Sequence, residues 1–74
     1  MARLGDAPTP EELRSIRAVA RYGTTHSAAA ALLVSPHTVD AHIDRLRAKT
    51  GLRYVVQLVA HAAQAGWLRE DSNQ

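Results

Sequence analysis

The sequence predicts an all-α fold of four helices, at about 10–22, 26–33, 36–50 and 54–65. Three observations carry this. Apolar residues recur at steps of three and four, and no stretch alternates as a strand would. Thr9-Pro10 and Ser35-Pro36 open helical segments, while Gly23, Gly51 and Gly66 stand where segments stop. Fourteen alanines among 74 residues point to helices packed closely with little bulk.

In chain order, residues 1–8 read as a flexible N-terminal arm, residues 9–68 as one domain and residues 69–74 as a disordered polar tail. Thr9 caps the first helix, with Glu12 three residues on as the reciprocal acceptor of a capping box. Leu13, Ile16, Val19 and Ala20 form its apolar stripe, and Arg14, Arg17 and Arg21 lie on its outer side. Thr24-Thr25 caps a short second helix rich in alanine. Val34-Ser35 is then a joint of the length a helix-turn-helix uses. The third helix carries Val39, Ile43, Leu46 and Thr50 on one side. In the fourth, Val55, Val56, Leu58, Val59, Ala62 and Ala63 cover about half the circumference, which is wider than one buried stripe needs. A second surface, burial on two sides or a partner subunit, would take the excess. Trp67 and Leu68 fold back as a plug.

At 74 residues the chain has room for one small core, and such a domain buries only ~60% of its unfolded surface. With no cysteine, neither a disulfide framework nor a Cys-based zinc site is available. The longest apolar run, Ala28 to Val34, is far shorter than the ~20 residues of a membrane span. No signal-peptide pattern opens the chain, so the expected location is cytoplasmic. The net charge is only +2, yet Arg45, Arg47, Lys49 and Arg53 cluster while Asp6, Glu11, Glu12, Glu70 and Asp71 sit near the ends.

The third helix points to a function. Opposite its apolar side stand His37, Ala41, Asp44 and Ala48, with Asp40, Arg45 and Arg47 at the edges. Two alanines leave room for close approach, and basic residues flank the gap. A helix of that form suits the DNA major groove.

Thr9-Pro10-Glu11-Glu12, the small-residue second helix, Ser35-x-x-Thr38-Val39-x-x-His42-Ile43, Lys49-x-Gly51-Leu52 and Gln57-Leu58-Val59-Ala60 together resemble the LuxR-type (GerE-like) helix-turn-helix domain over about Thr9 to Leu68. The resemblance implies a sequence-specific transcriptional regulator that reads double-stranded DNA with its third helix and pairs two subunits through its fourth. It would put Thr38, Lys49 and Arg53 on phosphates, Thr24 and Thr25 on the DNA backbone, and His37, Asp40, Ala41 and Asp44 at base edges. His42 would steady the approach, with Arg45 on the basic edge. Val55, Val56, Val59, Ala62 and Ala63 would form a homodimer interface. Asp40 and Asp44 depart from the common pattern and suit positions where cytosine amino groups donate. Ser27 stands where the pattern has Glu, and Thr50 sits at a core position that favours packing only if its hydroxyl bonds back to the helix. A sensory or receiver domain, usual in that family, is missing; Met1 slightly favours a stand-alone regulator over an excised piece.

Other chemistries fit poorly. His37 and His42, five apart, point ~140° away from each other and cannot share an ion. No serine has a usable His and acid beside it, so no enzyme, metal or cofactor is expected. The alternative is a helix-turn-helix turned protein-binding module that modulates another regulator without reading DNA, in which Asp40 and Asp44 pair with a basic partner and the wide face of the fourth helix docks it. Under the first reading, the transcription machinery or another regulator is a further partner. A dimer neutralising about three or four phosphates per subunit predicts a log–log salt slope near −6.

Overall fold

Residues 2–69 are described by the structure, a computed structural model. They form α1 (Pro10–Tyr22), α2 (Thr25–Leu32), α3 (Pro36–Thr50) and α4 (Val55–Ala65). The tail expected at 69–74 lies, from residue 70 on, outside the described residues.

Each helix begins where a side chain can satisfy the free amides of the first turn. Thr9 Oγ1 accepts from the Glu12 amide at 3.2 Å, and Glu12 Oε1 accepts from the Thr9 amide at 3.0 Å, completing the expected capping box. Thr24 Oγ1 accepts from the Ser27 amide at 3.0 Å. With Ser27 in place of a longer acceptor the box has only this half, and α2 starts at Thr25, one residue before the expected start. Ser35 Oγ caps α3 through the Thr38 amide at 3.2 Å. At α4, Gln57 Oε1 reaches back to the Tyr54 amide at 3.4 Å, which makes Tyr54 the cap and Val55 the first helical residue.

Helix ends follow the same local logic, with one exception. Gly51 closes α3 in the left-handed region at φ 74, where a missing Cβ removes the steric cost. Leu33 closes α2 at φ 60, the one non-glycine residue with positive φ among those described. Its side chain is 91% exposed. The strain and the exposure together ended α2 one residue earlier than its apolar sequence suggested.

The core is a single cluster. Ile16, Ala18 and Val19 come from α1, Ala28 and Ala29 from α2, Val39, Ile43 and Leu46 from α3, and Leu58 and Ala62 from α4. Leu13 and Ala20, expected in the α1 stripe, are half-buried at its margins. α1 packs against all three other helices, and α4 contacts α1 and α3. Trp67 and Leu68 pack on the core from outside as expected. Trp67 meets the His61 ring edge-on at 5.0 Å, and its carbonyl accepts from Arg17 Nε at 2.7 Å.

Burial corrects one residue of the expected subunit interface. Ala62 is fully buried in its own core and has no surface to offer a second copy. Val55 and Val59 are half-buried, while Val56 is 76% exposed and Ala63 is also exposed. Half of the wide apolar arc on α4 is thus explained by burial within the chain.

The expected flexible arm is tied to α3 by two hydrogen bonds. The Gly5 amide donates to the Lys49 carbonyl at 2.8 Å, and Lys49 Nζ donates to the Ala7 carbonyl at 3.0 Å. A turn closed by the Arg3 amide on Asp6 Oδ2 at 2.9 Å shapes the segment that makes them.

Candidate nucleic-acid interface

α3 has one buried side and one exposed side. Val39, Ile43 and Leu46 are fully buried, and burying each contributes roughly 1.5–3 kcal/mol. Thr50 shares their side, and its Oγ1 donates back to the Leu46 carbonyl at 2.8 Å, so the hydroxyl is satisfied inside the helix. It also accepts from the Leu52 amide at 3.2 Å, which starts the turn into α4. On the other side His37, Asp40, Asp44, Arg45 and Ala48 are exposed, with Ala41 half-exposed among them. At ~100° per residue, Ala41 and Ala48 fall at the middle of this face, Asp40 and Arg47 along one edge and Arg45 along the other.

Two polar contacts set how α3 lies on α1. His42 Nδ1 and the Ser15 hydroxyl are 2.7 Å apart, with Ser15 buried. One helix turn earlier on α1, Glu12 Oε1 meets Lys49 Nζ at 2.5 Å. Glu12 is 2% exposed and Lys49 8%. Burial alone would raise the Glu12 carboxyl. The Lys49 hydrogen bond, the Thr9 amide and the charges of Lys49 and Arg45 outweigh it and keep the group below the usual carboxylate range. Lys49 therefore carries its charge inside the molecule, with three partners at its ammonium and carbonyl.

This corrects the expected role of Lys49. The resemblance puts Lys49 on phosphates, but its side chain turns into the α1–α3 seam. It lies two turns after His42, so the two share one flank of α3, and that flank faces α1. The signal was available in that spacing. Glu12 and Ser15, which receive the two side chains, were not anticipated as partners.

The other expected residues are distributed as follows. Thr24 is exposed and Thr25 half-buried at the start of α2, and Thr38 is half-buried with its hydroxyl 3.0 Å from that of Ser35. His37, Asp40, Asp44, Arg45 and Arg53 are exposed, and His42 is half-buried against Ser15. Asp44 is not a bare acid: its Oδ1 pairs with Arg47 Nη1 at 2.7 Å. Arg47 Nε, meanwhile, is enclosed without a partner. The pair lays the Arg47 side chain along the exposed face and offsets the negative charge there. Arg47 was expected only as part of the basic edge.

A capped α2, a three-residue joint at 33–35 and an α3 pinned by one side with the other side open define a helix-turn-helix DNA-binding module. Residues 10–64 match the family model described as bacterial regulatory helix-turn-helix protein, lysR family. The chain belongs to that family, and is a helix-turn-helix DNA-binding domain of a bacterial transcriptional regulator.

The match overturns the resemblance to LuxR-type domains. The residues that carried the resemblance explain why it misled. Thr9 and Glu12 form a capping box, Ser35 and Thr38 a second cap, and Gly51 a left-handed stop, so each answers a demand of the fold that any helix-turn-helix meets. No curated protein and no solved structure matches the chain. Among the described residues no group of three or more His, Cys, Asp or Glu is placed to hold a metal ion. No described helix is long and apolar enough to cross a membrane.

Proposed function

We propose that this domain reads specific DNA sequences in the bacterial cytoplasm by laying α3 in the major groove. His37, Asp40, Ala41 and Asp44 would meet base edges. Arg45 and Arg53, with the hydroxyls and first-turn amides at Thr24, Thr25 and Thr38, would meet the phosphates. His42 is a positioning residue, bonded to Ser15 behind the reading face. Residues 9–68 form the module, and two copies would pair through Val55, Val56, Val59 and Ala63 of α4, with half-sites about one helical turn apart.

The observation that carries this reading is the open centre of α3 at Ala41 and Ala48, with arginines on both edges. The Asp44–Arg47 pair adds support, because it removes much of the repulsion that two bare carboxylates would exert on phosphates. With Lys49 engaged inside, about two phosphates per subunit remain to Arg45 and Arg53. The expected salt slope of a dimer therefore falls to about −4.

The test is selection of duplexes from a random pool, followed by anisotropy titrations across salt. Arg45→Glu should cost at least ~10-fold in affinity without changing the fold. Asp44→Asn, which releases Arg47 to a phosphate, should raise affinity and steepen the slope by about 1 per subunit. An unenriched pool, together with an Arg45→Glu variant that binds as tightly as the parent, would sink the proposal.

A further inference from the structure

A groove of about 440 Å³ runs between α1 and α2, and no residue of α3 lines it. Leu13, Ala31 and Leu32 form its apolar floor. Leu13 and Leu32 are both half-exposed, and Leu32 also packs against the core. Arg14, Arg17 and Arg21 form its rim. Set at steps of three and four along α1, they make a cationic ridge ~10 Å long. No acidic side chain lines the groove among the described residues.

The ridge is partly prearranged. The Nε bond from Arg17 to the Trp67 carbonyl fixes that guanidinium, and Arg21 lies 5.7 Å from the centroid of the Tyr22 ring. Arg14 is exposed. Held side chains lose less freedom when a ligand arrives. The apolar floor discriminates between anionic ligands. A sugar–phosphate strand would satisfy the arginines but presents no large apolar side chain to seat on Leu13 and Leu32, whereas a protein helix can offer both kinds of side chain from one face.

We propose that the α1–α2 groove docks an acidic amphipathic helix of a partner protein. Large apolar residues of that helix sit on Leu13, Ala31 and Leu32, and carboxylates at matching steps of three and four meet the arginine ridge. The site lies apart from α3, so a bound partner leaves the DNA-reading face free. This makes the groove a place where another protein engages the regulator on its operator.

The experiment uses the full chain and two labelled peptides of about five turns. One places Leu and Glu on a single helical face in this register. The other has the same composition, scrambled so that no such face exists. The ordered peptide should bind at least ~10-fold more tightly, and the amide resonances of Leu13, Arg14, Arg21 and Leu32 should shift. Arg14→Glu with Arg21→Glu should weaken peptide binding at least ~10-fold while duplex affinity stays within about twofold. Circular dichroism checks the fold, and the single exposed change Arg14→Gln serves if the double variant is unstable. Equal affinity for the two peptides overturns the proposal. So do shifts that fall on α3 or α4, and so does a charge reversal that weakens duplex binding as much as peptide binding, which would assign the ridge to phosphates.

Discussion

Replacing Lys49 by Met separates a structural role for this lysine from a DNA-contacting one. Methionine matches the length of the lysine stem and fills the same channel, so the change removes the charge and leaves most of the packing. Glu12, 2% exposed, then keeps a buried carboxylate with no cation against it. The penalty is limited by the option of taking up a proton. A carboxyl with the ordinary value of 4.5 is neutralised at pH 7 at a cost of about 3 kcal/mol, from 1.36 kcal/mol per pH unit. That agrees with the 3–5 kcal/mol typical of breaking a buried pair. A domain of this size has roughly 4–11 kcal/mol in total, and ~3 kcal/mol corresponds to a fall in Tm of about 15 °C. At pH 5 the same protonation costs only about 1 kcal/mol, so the variant should recover most of the difference there. The parent behaves in the opposite sense. Its Glu12 carboxyl titrates below the unfolded value, so the contribution of the pair is complete above the unfolded pKa and is lost as pH falls through the folded one. Adding Glu12→Gln to Lys49→Met buries no charge and should restore much of the stability. The assay is thermal unfolding followed by circular dichroism at the two pH values, with duplex binding measured well below Tm. A Tm within ~3 °C of the parent at pH 7, combined with a large loss of duplex affinity, would refute the reasoning and return Lys49 to the phosphates.

Leu33→Gly should stabilise the domain by about 0.5–1 kcal/mol in urea unfolding, because glycine takes the left-handed conformation without strain and the lost side chain is 91% exposed. Ser15→Ala should cost about 1–2 kcal/mol, since it leaves the half-buried His42 Nδ1 without its partner, and amide exchange should show α3 loosening first. Val56→Asp should leave Tm nearly unchanged while sedimentation on operator DNA shifts from two copies toward one. Ala62→Asp, by contrast, should unfold the chain by burying an unpaired charge.

The helices were legible because their signals are local. Thr9 with Glu12 and Ser35 with Thr38 fall within a single turn, so reading four residues suffices to place a helix start. The end of α2 was less legible, since Leu33 is a residue type that normally avoids the left-handed region, and nothing nearby announces that it adopts it. Faces of α3 were legible from the ~100° rotation per residue. What that rotation does not supply is the neighbour that crosses a given flank. Lys49 shows the consequence: its position on the helix was known, but the carboxylate waiting for it comes from 37 residues away. Glu12 concealed that role because its part in the capping box already accounted for it. The resemblance to LuxR-type domains has a related origin, since Thr9, Glu12, Ser35 and Gly51 answer local demands at helix ends while Val39, Ile43 and Leu58 fill the core.

The placement of polar contacts on α3 bears on how so small a domain can present a reading face. Only three large apolar side chains of α3 are fully buried, and they face a core that includes four alanines. Smooth apolar contacts of that kind resist separation, but they resist rotation of a helix about its axis poorly. An ion pair and a hydrogen bond have preferred distances and directions. Ser15–His42 and Glu12–Lys49 sit two helix turns apart along α3, so together they set both its rotation and its sliding against α1. The Gly5 amide on the Lys49 carbonyl and the Thr50 hydroxyl on the Leu46 carbonyl then occupy acceptors in the last turns. A rotation of α3 by one residue would carry Ala41 and Ala48 ~100° away from the centre of the exposed face and bring charged neighbours in their place. The polar seam is therefore the feature that lets alanines, which make no directional contact of their own, be presented in a defined register.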